Sequence, residues 1–334
     1  MTDLSIIIVC YKGWDPLNKC LDALALFSGV RFKTEVIVVD NKSGDGELNK
    51  TEKKFPEFRF IHNEINGGFA NGCNLGAKSA EGEFLLFLNP DTVASESGTE
   101  KLLFIAKNNI DFTIVSCRQI NQEGKENNAY GSFPSLFNLT GFQRAFFRSR
   151  KLQDNPGRVR RSQTEDYKPD IIFPDWISGS VILMKKEAFR KVGGYDEDFW
   201  MYFEDVDLCR RVRNSEGEIA FCRDVTIEHN HGGSSRINLK TTSLTKTEVH
   251  ISRHVYISKH KKGIERFFIQ TFLVINNLIS GGVMALIGLI FFFIPGVFSR
   301  TIIFLRLITY YAESLLRFSW ISPRSVNSEK YRIR

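Results

Sequence analysis

The sequence predicts an α/β fold built on a mainly parallel, doubly wound sheet, followed by a separate apolar helical region at the C-terminus. Three observations carry this. Short runs of β-branched and aromatic residues recur through the first half of the chain with helical stretches between them. These runs are almost continuously apolar, as strands covered on both faces must be. Residues 267–299 contain no charged side chain at all. With 334 residues and 43% hydrophobic content, the chain can bury one large core and still carry an appendage.

The predicted strands are residues 4–10 (LSIIIVC), 35–40 (EVIVVD), 58–62 (FRFIH), 84–88 (FLLFL) and 112–116 (FTIVS). The first follows Asp3 and lacks a basic leader, so it reads as a strand and not as a signal peptide. The six cysteines, at positions 10, 20, 73, 117, 209 and 222, form no CxxC pair and no compact framework. That pattern suits a reducing cytoplasm and indicates neither a zinc site nor a disulfide scaffold. Residues 119–172 turn polar and basic, with Pro134, Pro156 and Pro169, and are expected to form a mobile insertion. Within it Phe133, Phe137, Phe142, Phe146 and Phe147 are interleaved with Arg144, Arg148 and Arg150, a pattern for a short amphipathic element at a lipid surface or on its own domain.

The charge is uneven. Residues 236–266 hold eight Lys or Arg against Glu248 and Glu265, and the uncharged run follows directly. A basic segment joined to a long apolar one points to a membrane with anionic lipid; nucleic acid is not expected, because no binding motif accompanies the charge. The apolar run ends at Pro295 and is long enough to span a bilayer. Asn276, Asn277 and Ser280-Gly281-Gly282 interrupt it, which leaves a re-entrant hairpin or a tilted interfacial helix open. Residues 300–318 carry Arg306, Glu313 and Arg317 among apolar residues, a composition for a helix in the interface or a helical cap buried in a homo-oligomer. The expected division is residues 1–235, a basic linker over 236–266, and membrane-associated helices over 267–334.

Candidate functional residues cluster where strands end, the ligand edge of such a sheet. Asp40 closes one strand. Asp91 follows another behind Asn89-Pro90, placed to hold a hard cation. In 66–76 (NGGFANGCNLG), Gly68, Gly72 and Gly76, with Ala80, recur every fourth residue. A helix with that stripe is poor by propensity, so it serves close packing, phosphate binding at an N-terminus capped by Asn66, or both. His229 and His231 flank a turn-rich stretch and are candidate metal ligands. The densest feature is 196–207, where Asp196, Glu197, Asp198, Glu204, Asp205 and Asp207 lie among Phe199, Trp200, Tyr202 and Phe203. Crowded carboxylates against rings tune at least one as a proton acceptor; Asp207 alone reads as a helix-start charge. No P-loop or GxGxxG fingerprint is present, which counts against ATPase and dinucleotide functions.

The ordered motifs LSIIIVCYK, VIVVDNKSGDG, NGGFANGCNLG, FLNPDT, WISGSVILMKKEAFRKVGGYDEDFWMYFEDVDLCRR and HNHGGSS, spanning about residues 4–235, resemble family 2 glycosyltransferases. The likeness is to the rhamnosyltransferase-like branch of bacterial surface polysaccharide assembly, O-antigen included. The resemblance implies a GT-A fold, a dTDP- or UDP-linked sugar donor, Mg²⁺ or Mn²⁺, and inversion at the anomeric carbon. It makes Asp205 the base with Glu204 beside it, and Asp91 a metal ligand, with His229 and His231 as the further candidates. Nucleotide-sugar contacts are expected from Cys10, Tyr11, Asp40, Asn41, Asn66, Gly67, Asn74 and Asn89, and a sugar or acceptor pocket from Trp176, Gly179 and Trp200. Lys12 stands where the family often has Asn, and Asn89 replaces the first acid of a DxD. The implied activity is transfer of L-rhamnose from dTDP-rhamnose to a lipid-linked saccharide at the cytoplasmic face of the inner membrane. A UDP-sugar transferase of the same fold (galactofuranose, GlcNAc) and a catalytically silent membrane scaffold are the alternatives.

Overall fold

A computed structural model describes residues 2–135, 139, 170–230 and 238–328. The predicted insertion lies mostly outside these residues, as do His231 and the end of the chain. The described chain divides into two compact units. One contains the residues up to Phe133 with 170–196 and 205–230; the other contains 197–204 and 238–328.

The first unit is built on a nine-stranded sheet. Its strands are β1 Leu4–Cys10, β2 Thr34–Asp40, β3 Arg59–His62, β4 Phe84–Leu88, β5 Thr92–Val93, β6 Phe112–Ile120, β8 Ile171–Ile172, β10 Val181–Lys185 and β11 Glu218–His229. They run β3-β2-β1-β4-β10-β6-β11-β5, with β8 on β11. A short ribbon pairs β7 Tyr130–Gly131 with β9 Trp176–Ile177. β3, β2, β1 and β4 pair in parallel, and so do β6 and β11. β10 runs antiparallel between β4 and β6. The five predicted strands are present as β1, β2, β3, β4 and β6; β10, β11 and the short β5 and β8 complete the sheet. The direction of β10 has a consequence for the site, because the start of β10 lies at the same sheet edge as the ends of β4, β6 and β11.

Alternation along the strands explains the double winding. Ile6, Ile8, Val36 and Val38 face one core with Leu17, Leu21 and Trp14 of α1 (Trp14–Leu24) and Leu102 of α4 (Glu96–Asn108). Ile7, Val9, Ile37 and Val39 face the other, with Cys73 and Ala77 of α3 (Gly68–Ser79) and Leu208, Cys209 and Val212 of α6 (Glu204–Asn214). Every residue of β1 and β4 is buried, so pattern period alone could not tell strand from core helix there; length and bounding turns did. Between α1 and α3 lies α2 (Glu47–Lys54), and α5 (Lys186–Lys191) follows β10.

The second unit is helical: α7 Leu239–His260, α8 Gly263–Ile290 and α9 Pro295–Arg317. α8 is long and apolar enough to cross a membrane by length and composition. α8 and α9 form an antiparallel pair closed at Phe291–Ile294, and Pro295 occupies the first turn of α9, where its missing N–H is harmless. Gly281 and Gly282, read from sequence as interruptions, are instead part of the seam of this pair. A Cβ on Gly281 would meet Phe304 at 3.2 Å, and one on Gly288 would meet Thr301 Oγ1 at 2.3 Å. The segment 197–204 belongs with these helices through named contacts. Ser252 donates to the Met201 carbonyl at 2.8 Å, Asn327 donates to Asp198 at 2.8 Å, and Lys259 forms an ion pair with Asp198 at 2.5 Å.

Candidate active site

The carboxyl ends of β1 and β2 bring Cys10 and Asp40 into register. Asp40 is 6% exposed, and its carboxylate accepts the Ser43 N–H at 3.1 and 3.2 Å, an Asx-type turn that fixes the loop. Lys12 and Lys42, just past the two strands, both sit in the left-handed region at φ 56° and 60°. Asn tolerates that conformation better than Lys, a physical reason for the Asn that the family favours at Lys12. Cys10 is fully buried and burial pushes its thiol up to about 12, so it packs as a neutral group. Tyr11 is 41% exposed beside it.

Asn41 is buried, and its amide donates to the Gly68 carbonyl at 2.7 Å while accepting from Asn63 at 2.8 Å. Asn63 also donates to Asn71. This network ties the ends of β2 and β3 to the start of α3. The cap of α3 differs from expectation: Gly67 is the N-cap, and Asn66, one residue earlier, accepts the Gly68 N–H at 3.3 Å. Gly68 holds φ 85°, which only glycine adopts freely. Gly72 and Gly76 are packing positions, since added Cβ atoms would meet Val9 at 2.6 Å and Ile7 at 2.5 Å. Asn74 grips the backbone of Tyr195 at both ends of its amide, donating to the carbonyl at 2.8 Å and accepting the N–H at 2.9 Å.

The ends of β4, β6 and β11 assemble a second cluster. Asp91 and His229 are both buried, with Asp91 Oδ1 facing His229 Nε2 at 3.4 Å. The Asn89 amide lies 3.5 Å from the same nitrogen. His229 Nδ1 lies in hydrogen-bond contact with Gln119 Oε1 at 2.8 Å, and Ser180 Oγ donates to that oxygen at 2.7 Å. Placed between His229 and Ser180, the Gln119 amide orients the imidazole so that Nε2 faces Asp91. Asp91 Oδ1 has no hydrogen-bond partner among the described residues. A buried carboxylate oxygen without a donor, facing an imidazole nitrogen, is a ligand pair that fits a divalent cation, and the His–Gln contact is the supporting contact such a ligand needs. No third His, Cys, Asp or Glu joins them among the described residues; His231 lies outside those residues.

The same chain of contacts reaches Asp205. Ser180 follows Gly179, whose N–H donates to Asp205 Oδ2 at 2.8 Å; Oδ1 accepts the Val206 N–H at 2.8 Å. The Asp205 carboxyl touches the surface but is densely surrounded by protein, and that desolvation raises its pKa, with the backbone donors opposing. Gly179 admits no side chain cheaply, since its Cβ would lie 3.3 Å from Asp205 Cβ. Trp176 donates its indole N–H to the Ser132 carbonyl at 2.9 Å.

Asp207 is more than a helix-start charge. Its side chain is 1% exposed and pairs with Arg211 at 2.7 Å. Arg211 in turn donates to the carbonyls of Val192 and Gly194 at 2.6 and 2.7 Å, fastening the Gly193-Gly194 turn. Glu204 and Trp200 fall in the second unit; Glu204 is buried, and Trp200 is buried with the Arg324 guanidinium 5.2 Å from its ring centre. Gln119 and Ser180 are the site-edge residues that the sequence reading missed. Gln119 is buried in β6 while the neighbouring Arg118 is exposed, and its polarity was the available signal.

Residues 5–168 match the family described as glycosyl transferase family 2, and residues 161–231 match the N-terminal domain of galactosyltransferase. The chain is 27% identical over 235 residues to the low-salt glycan biosynthesis hexosyltransferase Agl10 of Haloferax volcanii, covering 69% of this chain and 68% of that protein. It is 26% identical over 229 residues to the N-acetylglucosaminyl-diphospho-decaprenol L-rhamnosyltransferase of Mycobacterium tuberculosis, covering 64% and 71%. The crystal structure of GalNAc-T7 with UDP, GalNAc and Mn²⁺ superimposes with a TM-score of 0.52 at 16% identity, over 78% of this chain and half of that one. The sheet is thus of GT-A type, and the chain belongs to the family 2 glycosyltransferases, as a rhamnosyltransferase-like enzyme.

Proposed function

We propose that the protein is an inverting transferase that moves L-rhamnose from dTDP-rhamnose to a lipid-linked saccharide in cell-surface polysaccharide assembly, with Asp205 as the base. The observation that supports this is the polar chain Asp91–His229–Gln119–Ser180–Gly179–Asp205, which joins the buried Asp91–His229 pair to a carboxylate of raised pKa. Asp205 takes the proton of an acceptor hydroxyl as its oxygen attacks the anomeric carbon, and the nucleoside diphosphate departs with the electrons of the broken C–O bond. Hydrogen bonds from Gly179 and Val206 hold the carboxylate while each oxygen keeps a lone pair for that proton. Asp91 and His229 would hold Mg²⁺ or Mn²⁺, whose charge balances the diphosphate. Asp40 and the neighbouring backbone receive the nucleotide.

The name of the mycobacterial relative supports the rhamnosyl donor and lipid-linked acceptor; a UDP-sugar is the second reading, supported by the UDP in the GalNAc-T7 structure. The C-terminal helices hold the site at the cytoplasmic face of the membrane, where such an acceptor lies. A panel of dTDP- and UDP-sugars, followed by thermal shift with and without Mn²⁺ and by transfer to a polyprenyl-diphosphate-linked sugar, tests the assignment. Stabilisation by a UDP-sugar alone reassigns the donor. Binding of none, with neither transfer nor donor hydrolysis, leaves the scaffold reading standing.

A further inference from the structure

The apolar hairpin of α8 and α9 divides into a pinned base and a projecting tip. At the base, His254 of α7 bonds to Gln270 of α8 and, at 3.0 Å, to Tyr311 of α9. Asn277 of α8 donates to the same Tyr311 hydroxyl at 2.7 Å. Beyond Asn277 the buried residues of α8 are Ala285 and Gly288, and both face Thr301 of α9. On the α9 side, Ser299 and Thr301 are the buried residues before Arg306. From 278 to 305, therefore, the two helices pack on each other and turn the rest of their surface outward. That surface is apolar: Ile279, Leu286, Ile290, Phe292 and Phe293 are each more than 60% exposed.

The length of this tip decides how it meets a bilayer. The thirteen α8 residues past Asn277 rise roughly 20 Å, at 1.5 Å per residue, against a hydrocarbon core of about 30 Å. Arg300 sets a second limit. It is exposed and lies five residues behind Pro295, so its Cα is about 8 Å short of the apex. A guanidinium there reaches the phosphates of the near leaflet by snorkelling when the tip stops inside that leaflet. A hairpin that crossed instead would have to draw Asn277 and the pinned base into the hydrocarbon, because the tip is roughly 10 Å shorter than the core is thick. Both ends of the hairpin also return to α7: α8 starts beside Lys261 and Lys262 at its C-terminal end, and the tail after α9 bonds to it through Ser322 and Glu248 at 2.9 Å.

We propose that the α8–α9 hairpin is a monotopic wedge: it enters the near leaflet only, with Phe291–Ile294 at its deepest point and Arg300 on that leaflet's phosphates. This rests on the reading of the C-terminal helices as membrane-binding and adds their depth and topology. The occupant is lipid, because the exposed face from 278 to 305 carries Arg300 as its single charge, at the level of the near phosphates, and is bounded by basic residues at its base.

The full chain suits a direct test, since its six cysteines are all buried and Phe292, at 67% exposure, can be replaced without touching a core. Phe292→Cys and, at the hairpin base, Ile264→Cys are added to preformed phosphatidylglycerol–phosphatidylcholine vesicles, with a membrane-impermeant maleimide either outside or trapped in the lumen. Both variants should sediment with the vesicles. Phe292→Cys should label in buffer and lose at least ten-fold of that labelling from either side once bound, while Ile264→Cys stays reactive from outside. Lumenal labelling of Phe292→Cys would show a crossing hairpin and overturn the wedge while leaving membrane binding intact. Failure to sediment, with Phe292→Cys shielded in a dimer by gel filtration, would assign the face to a second copy. Sedimentation with Phe292→Cys still labelled from outside would place the anchor elsewhere.

Discussion

The backbone N–H of Gly179 donates to Oδ2 of Asp205 across 2.8 Å. Gly179 lies in the turn just before β10, the strand antiparallel to β4 and β6, so the contact places the carboxylate of α6 at the sheet edge where β4, β6 and β11 deliver Asp91, Gln119 and His229. Burial makes the ionised form of Asp205 less favourable, and this bond with that from Val206 recovers part of the loss.

Asp205→Asn should lower kcat by about 10²–10⁴, the usual contribution of a positioned base, while donor binding by calorimetry stays within a few-fold. Because burial raises the Asp205 pKa and the base must be ionised, activity should fall as pH drops, with the acidic limb above the ordinary aspartate value of about 4. A pH–rate profile flat down to that value would remove Asp205 from the role.

Gln119→Leu keeps the side-chain volume but leaves His229 without its Nδ1 partner. Mn²⁺ affinity, read by paramagnetic resonance of the free ion, should weaken about 10–100-fold, and His229→Ala should weaken it at least as much. Unchanged Mn²⁺ binding in both variants would detach the Asp91–His229 pair from the metal.

Glu248 in α7 is buried beside Ser322, Arg324 and Arg306, and burial pushes its carboxyl from 4.5 to about 7. A folded-state pKa above the unfolded value means that the protonated form supports the fold: its contribution is complete below about 4.5 and is lost as pH rises through 7. The shift corresponds to a change on the order of 3 kcal/mol. Glu248→Gln should therefore melt higher than the parent above pH 7 and close to it at pH 5, by thermal denaturation in detergent.

Gly76→Ala should destabilise the sheet unit by about 1–3 kcal/mol, because the added methyl would sit 2.5 Å from Ile7 Cγ2 and 3.3 Å from Val39 Cγ2. Denaturant melts check this. A neutral result would mean that α3 can shift on the sheet and that the glycine stripe answers to something other than packing.

The strands at 4–10, 35–40 and 84–88, the break at Pro295 and the candidacy of Asp205 were legible in the residue order, because burial on both faces, a missing N–H and a crowd of carboxylates each leave a local mark. Asp207 shows where such marks run out. As a charge in the first turn of a helix it needs no partner, and only packing reveals that it is buried against Arg211 and thereby fastens the Gly193-Gly194 turn. Gln119 is the same lesson reversed: its polarity was visible, but its bond to His229 joins residues 110 apart in sequence. The antiparallel course of β10 decides the site most of all. Strand direction depends on which edges meet and leaves no trace in periodicity, yet it is what sets Gly179 and Ser180 beside Asp205, Gln119 and His229.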